Sequence, residues 1–185
     1  MEVRDLGLGV CEIIPRRFGD TRGFFAETWQ RHRFAEAGID IDWVQENQSL
    51  SSERFVLRGL HLQVNPLPQA KLIRVLRGSI YDVAVDVRNN SSSFGRWVSC
   101  ILSAEVFNQL YIPVGFAHGF LTLEPDAEVS YKVSAPYAPN CERGIAWNDK
   151  DIAIDWPLPP GEQPILSDKD RLAPSLLAFS AAGQN

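Results

Sequence analysis

Five residues able to move or steady protons fall in step with aliphatic or aromatic neighbours along strand-like stretches. Side chains two apart in a strand share a face. Tyr131 keeps step with Val129 and Val133, Lys71 with Ile73 and Val75, and Asp82 with Ile80 and Ala84. His61 keeps step with Gly59 and Gln63, and His118 with Phe120. Charged groups are seldom buried without partners. Either these are satisfied structural ion pairs, or they line the mouth of a barrel, a usual place for a ligand pocket. The five taken together favour the pocket. Imidazole can take a proton near neutral pH, phenol can give one, and a lysine can oppose a developing negative charge.

Such a face needs strands to carry it. Val10–Ile14, Trp43–Asn47, Val56–Gln63, Lys71–Leu76, Ile80–Val87, Trp97–Leu102, Gln109–Ile112, Phe116–Leu123 and Ala127–Val133 are rich in β-branched and aromatic residues. Turn signals separate them, among them Arg77-Gly78-Ser79 and Pro113-Val114-Gly115. The regular spacing predicts an all-β sandwich or barrel. One clear helix is expected at Thr28–Gly38, with His32 on its polar face, and a short one after Ser167. Pro136–Pro164 reads as an ordered excursion anchored by Trp147 and Trp156. No repeat or linker interrupts the chain, so residues 1–185 read as one domain.

Composition narrows the function. The 185 residues carry 18 Lys and Arg against 23 Asp and Glu, a net charge of −5. A nucleic-acid binder would show a basic balance, so none is expected as partner. No apolar run approaches the ~20 residues of a membrane helix. The first residues, MEVRDLGLGV, lack the pattern of a secretory signal, which predicts a cytoplasmic protein. Cys11, Cys100 and Cys141 form no CxxC pair and read as reduced, buried thiols.

A series of motifs then goes further. VLRGLHLQ ends at Gln63, and Pro66-Leu67-Pro68-Gln69-Ala70-Lys71 follows. DVAVDVR spans Asp82–Arg88, SFGRW spans Ser93–Trp97, and IPVGFAHGFLTL starts at Ile112. SYK at Ser130–Lys132, ERGIAWND at Glu142–Asp149 and LSDKD at Leu166–Asp170 complete it. This ordered series resembles the dTDP-4-dehydrorhamnose 3,5-epimerase family from about Asp20 to Asp170. The resemblance implies a cupin-type jelly roll: two antiparallel sheets forming a flattened barrel, with a few short peripheral helices. Metal-binding cupins present paired histidines, whereas His61-Leu62-Gln63 has one. No metal and no organic cofactor is implied.

The resemblance also implies a reaction and assigns roles. The substrate would be dTDP-4-dehydro-6-deoxy-D-glucose, inverted at the carbons flanking the C4 ketone to give dTDP-4-dehydro-L-rhamnose. His61 would be the base, with Asp170 behind its ring to fix the tautomer. Tyr131 would be the acid on the opposite face. Lys71 would stabilise the C4 oxyanion, and Asp82 could pair with and orient Lys71. Arg22 and Arg58 would hold the diphosphate. His118, Gln45 and Asn47 would contact the substrate, with Phe24, Glu27, Glu142 and Lys169 at further binding positions. Tyr137 would stack on the thymine.

A homodimer is expected, with Arg22, Phe24 and Glu27 given to the neighbour's pocket. The motifs do not separate the double epimerase from enzymes that invert only C3 or only C5, nor formally from a non-catalytic sugar-nucleotide-binding cupin. Two departures from the family pattern, Ala104–Asn108 and the proline-rich Pro157–Pro164, put the binding edge and the placement of Lys169 and Asp170 in question.

Overall fold

The computed structural model describes residues 1–182. Its strands begin with β1 (Glu2–Gly7), β2 (Val10–Ile14), β3 (Arg17–Asp20), β4 (Gly23–Ala26) and β5 (Gln45–Ser51). β6 (Leu57–Gln63), β7 (Lys71–Arg77), β8 (Ser79–Asp86) and β9 (Trp97–Ser103) follow. β10 (Gln109–Ile112), β11 (Phe116–Thr122), β12 (Ala127–Val133) and β13 (Glu142–Gly144) complete the set. Helices are short: α1 (Arg31–Glu36), α2 (Asp168–Arg171) and α3 (Leu176–Ala181).

Two antiparallel sheets face each other. One has the order β1-β2-β10-β7-β12-β5 and the other β13-β6-β11-β8-β9. Apart from β1-β2 and β8-β9, neighbours in these sheets are distant in sequence, as a jelly roll requires. A separate hairpin, β3-β4, stands off the sandwich. The expected fold class is the observed one.

Burial explains the layers. Ile73, Val75, Ile80, Ala84, Leu102, Leu110, Phe116 and Val129 fill the space between the sheets. On the outer face of the five-stranded sheet, Val83, Val85 and Leu121 meet Ile145, Ile152, Trp156, Leu176 and Phe179. The proline-rich excursion is therefore part of the core. Trp156 is buried, and its indole donates to the Trp147 carbonyl at 2.8 Å. On the outer face of the other sheet, Phe34 of α1 packs with Ile13, Ile39 and Leu72. Strands β8 and β11 are buried almost throughout, because both their faces meet a core.

Several boundaries differ from the sequence reading. α1 is shorter than Thr28–Gly38, because Gln30 caps it by accepting from the Arg33 N–H at 2.7 Å. β5 runs to Ser51, beyond the expected Asn47, because its polar residues are held by pairing with all of β12. β1 and the β3-β4 hairpin have no counterpart among the strands expected from the sequence. β1 is polar and exposed, so its pairing to β2, not its composition, makes it a strand. The thiols are also less uniform than expected: Cys141 is buried, while Cys11 and Cys100 are only half-buried.

Candidate active site

One cavity of about 620 Å³ opens between the two sheets. Its walls come from opposite layers. β6 and β11 of the five-stranded sheet supply Arg58, His61 and His118. β5, β7 and β12 of the six-stranded sheet supply Gln45, Asn47, Lys71 and Tyr131.

Arg58 and His61 are three apart, so simple alternation would put them on opposite faces. The pairing to β11 shows why both reach the cavity. His61 pairs with His118, and Arg58 with Phe120, so three steps on β6 span two on β11. The extra residue is a β-bulge, which reverses the alternation. Gly59 makes it with φ +135°, and a Cβ there would lie 2.5 Å from the Gly119 Cα. No side chain fits between these two strands.

His61 Nε2 lies 2.5 Å from Asp170 Oδ1. His61 is partly open to the cavity, while Asp170 is buried. Burial pushes the Asp170 carboxyl upward, but hydrogen bonds from His61, Ser167 and the Gly59 N–H outweigh it and hold it below the usual carboxylate range. An ionised carboxylate only accepts, so Nε2 carries the proton. Nδ1 is then the nitrogen left to take a proton.

Lys71 is buried, and burial lowers its pKa to about 8 against the opposing fields of Asp82 and Glu142. Its ammonium donates to the His61 carbonyl at 3.2 Å. The expected Lys71–Asp82 pair is not what forms. Both Asp82 oxygens lie on His118 Nε2, at 2.8 and 2.9 Å. Asp82 sits fully buried behind the cavity wall and acts on Lys71 through its field alone. Burial drives Asp82 upward and His118 downward, each opposed by the other. The phenol of Tyr131 is raised by burial, with Arg58 opposing and Glu142 assisting.

The mouth carries a polar rim. Tyr137 donates its hydroxyl to Glu142 at 2.9 Å, and Lys169 pairs with the same carboxylate at 2.5 Å. Burial raises Glu142, but Lys169 and Tyr137 bring it below its ordinary value. Asp170 thus lines the cavity and Lys169 meets its rim through Glu142, despite the proline-rich segment before them. The guanidinium of Arg58 is steadied by Ser51 and the Leu50 carbonyl, both at 3.1 Å.

Arg22, Phe24 and Glu27 do not line this cavity. They belong to the β3-β4 hairpin and the segment just after it. Arg22 pairs with Asp20, Glu27 with Arg33, and Phe24 packs edge-on against Phe107 at 5.3 Å. The unusual Ala104–Asn108 stretch therefore props the hairpin. Its Asn108 is buried and donates to Glu12 at 2.6 Å.

Three contributors escaped the sequence reading. Ser49 continues the alternation of Gln45 and Asn47 into the cavity wall, a signal that was present. Gln63 donates to the Leu67 and Pro136 carbonyls and accepts from the Ala138 N–H, tying down the Tyr137 loop. Ser167 caps α2 and bonds Asp170. Only the fold reveals the partners of Gln63, whereas Ser167 and Asp170, three apart at a helix start, fit a local capping pattern. Among the described residues, no three His, Cys, Asp or Glu side chains cluster so as to hold a metal ion. No helix among them is long and apolar enough to cross a membrane.

The family model for dTDP-4-dehydrorhamnose 3,5-epimerase matches residues 8–178. The chain belongs to this family. The epimerase of Escherichia coli K12 is 52% identical over 162 residues, covering 87% of this chain and 86% of the relative. The Mycobacterium tuberculosis epimerase structure superposes with a TM-score of 0.94 at 43% identity, covering 100% of this chain and 92% of the other. The Legionella pneumophila 3,5-epimerase, solved in complex with dTDP-4-keto-L-rhamnose, gives a TM-score of 0.92 at 44% identity, over 98% and 95% of the two chains.

Proposed function

We propose that the cavity inverts both carbons flanking the ketone of dTDP-4-dehydro-6-deoxy-D-glucose, giving dTDP-4-dehydro-L-rhamnose. It does so by proton transfer between groups on the two sheets. The observation that carries this is the separation of His61 and Tyr131 onto opposite layers around one cavity.

The hydrogens on C3 and C5 of the starting chair are both axial and share one ring face, so one base can serve both carbons. Nδ1 of His61 removes the proton while Asp170 holds the ring and steadies the imidazolium. The electrons pass to the C4 oxygen, giving an enolate. Lys71 places its ammonium beside that charge, in a site drier than water, where it counts for more. Tyr131 returns a proton from the other face, and the carbon is inverted; water then takes the proton from His61 and reprotonates Tyr131 before the second carbon reacts. Arg58, His118, Gln45, Asn47, Glu142 and Lys169 hold the substrate, and Tyr137 offers a ring to the thymine. In a homodimer, the hairpin carrying Arg22 and Phe24, with Glu27 after it, reaches the neighbour's cavity; its exposed Phe18, Phe24 and Phe25 suit that use. The single domain works in the cytoplasm.

The test is turnover in deuterated solvent, followed by NMR. The double reaction predicts deuterium at both C3 and C5 of the product. Label at one carbon only overturns it in favour of a single epimerase, and no label overturns proton transfer altogether.

The state of Lys71 sets an alkaline limit. Its ammonium is lost as pH rises through about 8, so kcat/KM falls above that point, roughly tenfold per pH unit. Tyr131, raised above its ordinary value, stays protonated there. Lys71→Arg, charged throughout, moves the limb to higher pH. A wild-type profile flat to about pH 10 contradicts the role given to Lys71.

A further inference from the structure

Behind the His61–Asp170 pair stands a third group. The Asp170 carboxylate has two oxygens, and His61 takes Oδ1. Oδ2 lies 2.9 Å from the Ser167 hydroxyl oxygen. That hydroxyl also accepts from the Asp170 backbone N–H at 3.1 Å, as the N-cap of α2. With a lone pair committed to the N–H, its proton points to Oδ2. The carboxylate is thereby fixed at both ends and cannot turn about its own bond. This matters because α2 is only four residues long and follows a proline-rich segment. So short a helix holds its side chains poorly by itself.

We infer that Ser167 is a positioning residue for proton abstraction, locking the Asp170 carboxylate so that the His61 ring keeps Nδ1 toward the substrate. The inference rests on His61 being the base. Ser167 lines the cavity beside Asp170 and acts on the base through that carboxylate. Its hydroxyl lowers the charge that Asp170 presents to the imidazole as well as aiming it. Other charged groups also face His61: His118 from β11, Glu142 from β13, and Lys71 through the His61 carbonyl. The Ser167 hydroxyl bonds none of these, so its removal changes the base through Asp170 alone.

Three substitutions separate this role from simple helix capping. Ser167→Thr keeps both bonds. Ser167→Gly loses both bonds, yet its backbone still suits an N-cap. Ser167→Ala loses both bonds and caps poorly. Each is assayed for kcat and KM separately, with His61→Ala as the comparator. The expected result is a loss in kcat of about tenfold for both Gly and Ala, as for one charge-assisted hydrogen bond, with KM within a few-fold of the wild type. The loss falls on kcat because Ser167 aims the base and not the bound substrate. Thr restores the wild-type kcat. If Gly matches the wild type in kcat while His61→Ala is inactive, Ser167 is a helix cap and the inference fails alone. If His61→Ala retains turnover, the base assignment fails and takes the inference with it.

Discussion

Replacing His61 with Ala lowers kcat by about 10³-fold, the scale of a lost general base. Solvent deuterium then no longer enters C3 or C5. Binding of dTDP, measured by titration calorimetry, stays within a few-fold, because the diphosphate and base contacts lie elsewhere on the rim. The size of the effect follows from the site. Nδ1 of His61 is the nitrogen its own partner leaves free, while Nε2 is held by a buried carboxylate. His118 has the same kind of pair, its Nε2 on Asp82, but its ring is more buried than that of His61, and burial lowers its pKa and so weakens it as a base. A loss of less than tenfold would remove His61 from the reaction.

Tyr131→Phe separates proton removal from inversion. The base and the buried Lys71 remain, so the enolate still forms. Its nearest donor is then the imidazolium of His61, on the face the proton left. Deuterium therefore appears in recovered substrate with its configuration unchanged, while net epimerisation falls by about 10²- to 10³-fold. The packing cost of the change is small, because Phe keeps the ring beside Val129 and removes only the hydroxyl. Deuterated product of inverted configuration, formed at the wild-type rate, would show that another group on that wall gives the proton.

Much of this site was legible in the chain before any fold. Alternation alone brought Lys71, Tyr131 and His118 to inward faces, because their strands are regular and flanked by aliphatic residues. It failed for Arg58, since a bulge at Gly59 reverses the alternation and nothing local announces one. Only the motif resemblance placed Arg58 at the site. Parity alone makes Asp82 a candidate partner for Lys71, because both point inward from neighbouring stretches. The register decides otherwise: Asp82 pairs with Phe120 on β11, two positions from His118, whose ring reaches back to it. The Asp170 contact spans 109 positions, a distance no local pattern bridges. The exposed hairpin was invisible to a search for buried strands, because its Phe18, Phe24 and Phe25 find no core within one chain.

The central claim concerns two faces of one sugar ring. A crystal structure of His61→Asn with the dTDP-4-keto sugar bound addresses it directly. The account predicts the residue 61 side chain against the face that bears the C5 hydrogen, the Tyr131 hydroxyl against the reverse face, and the Lys71 ammonium within hydrogen-bond reach of the C4 oxygen. Both side chains lying on the same face, or the ketone turned away from Lys71, would contradict it.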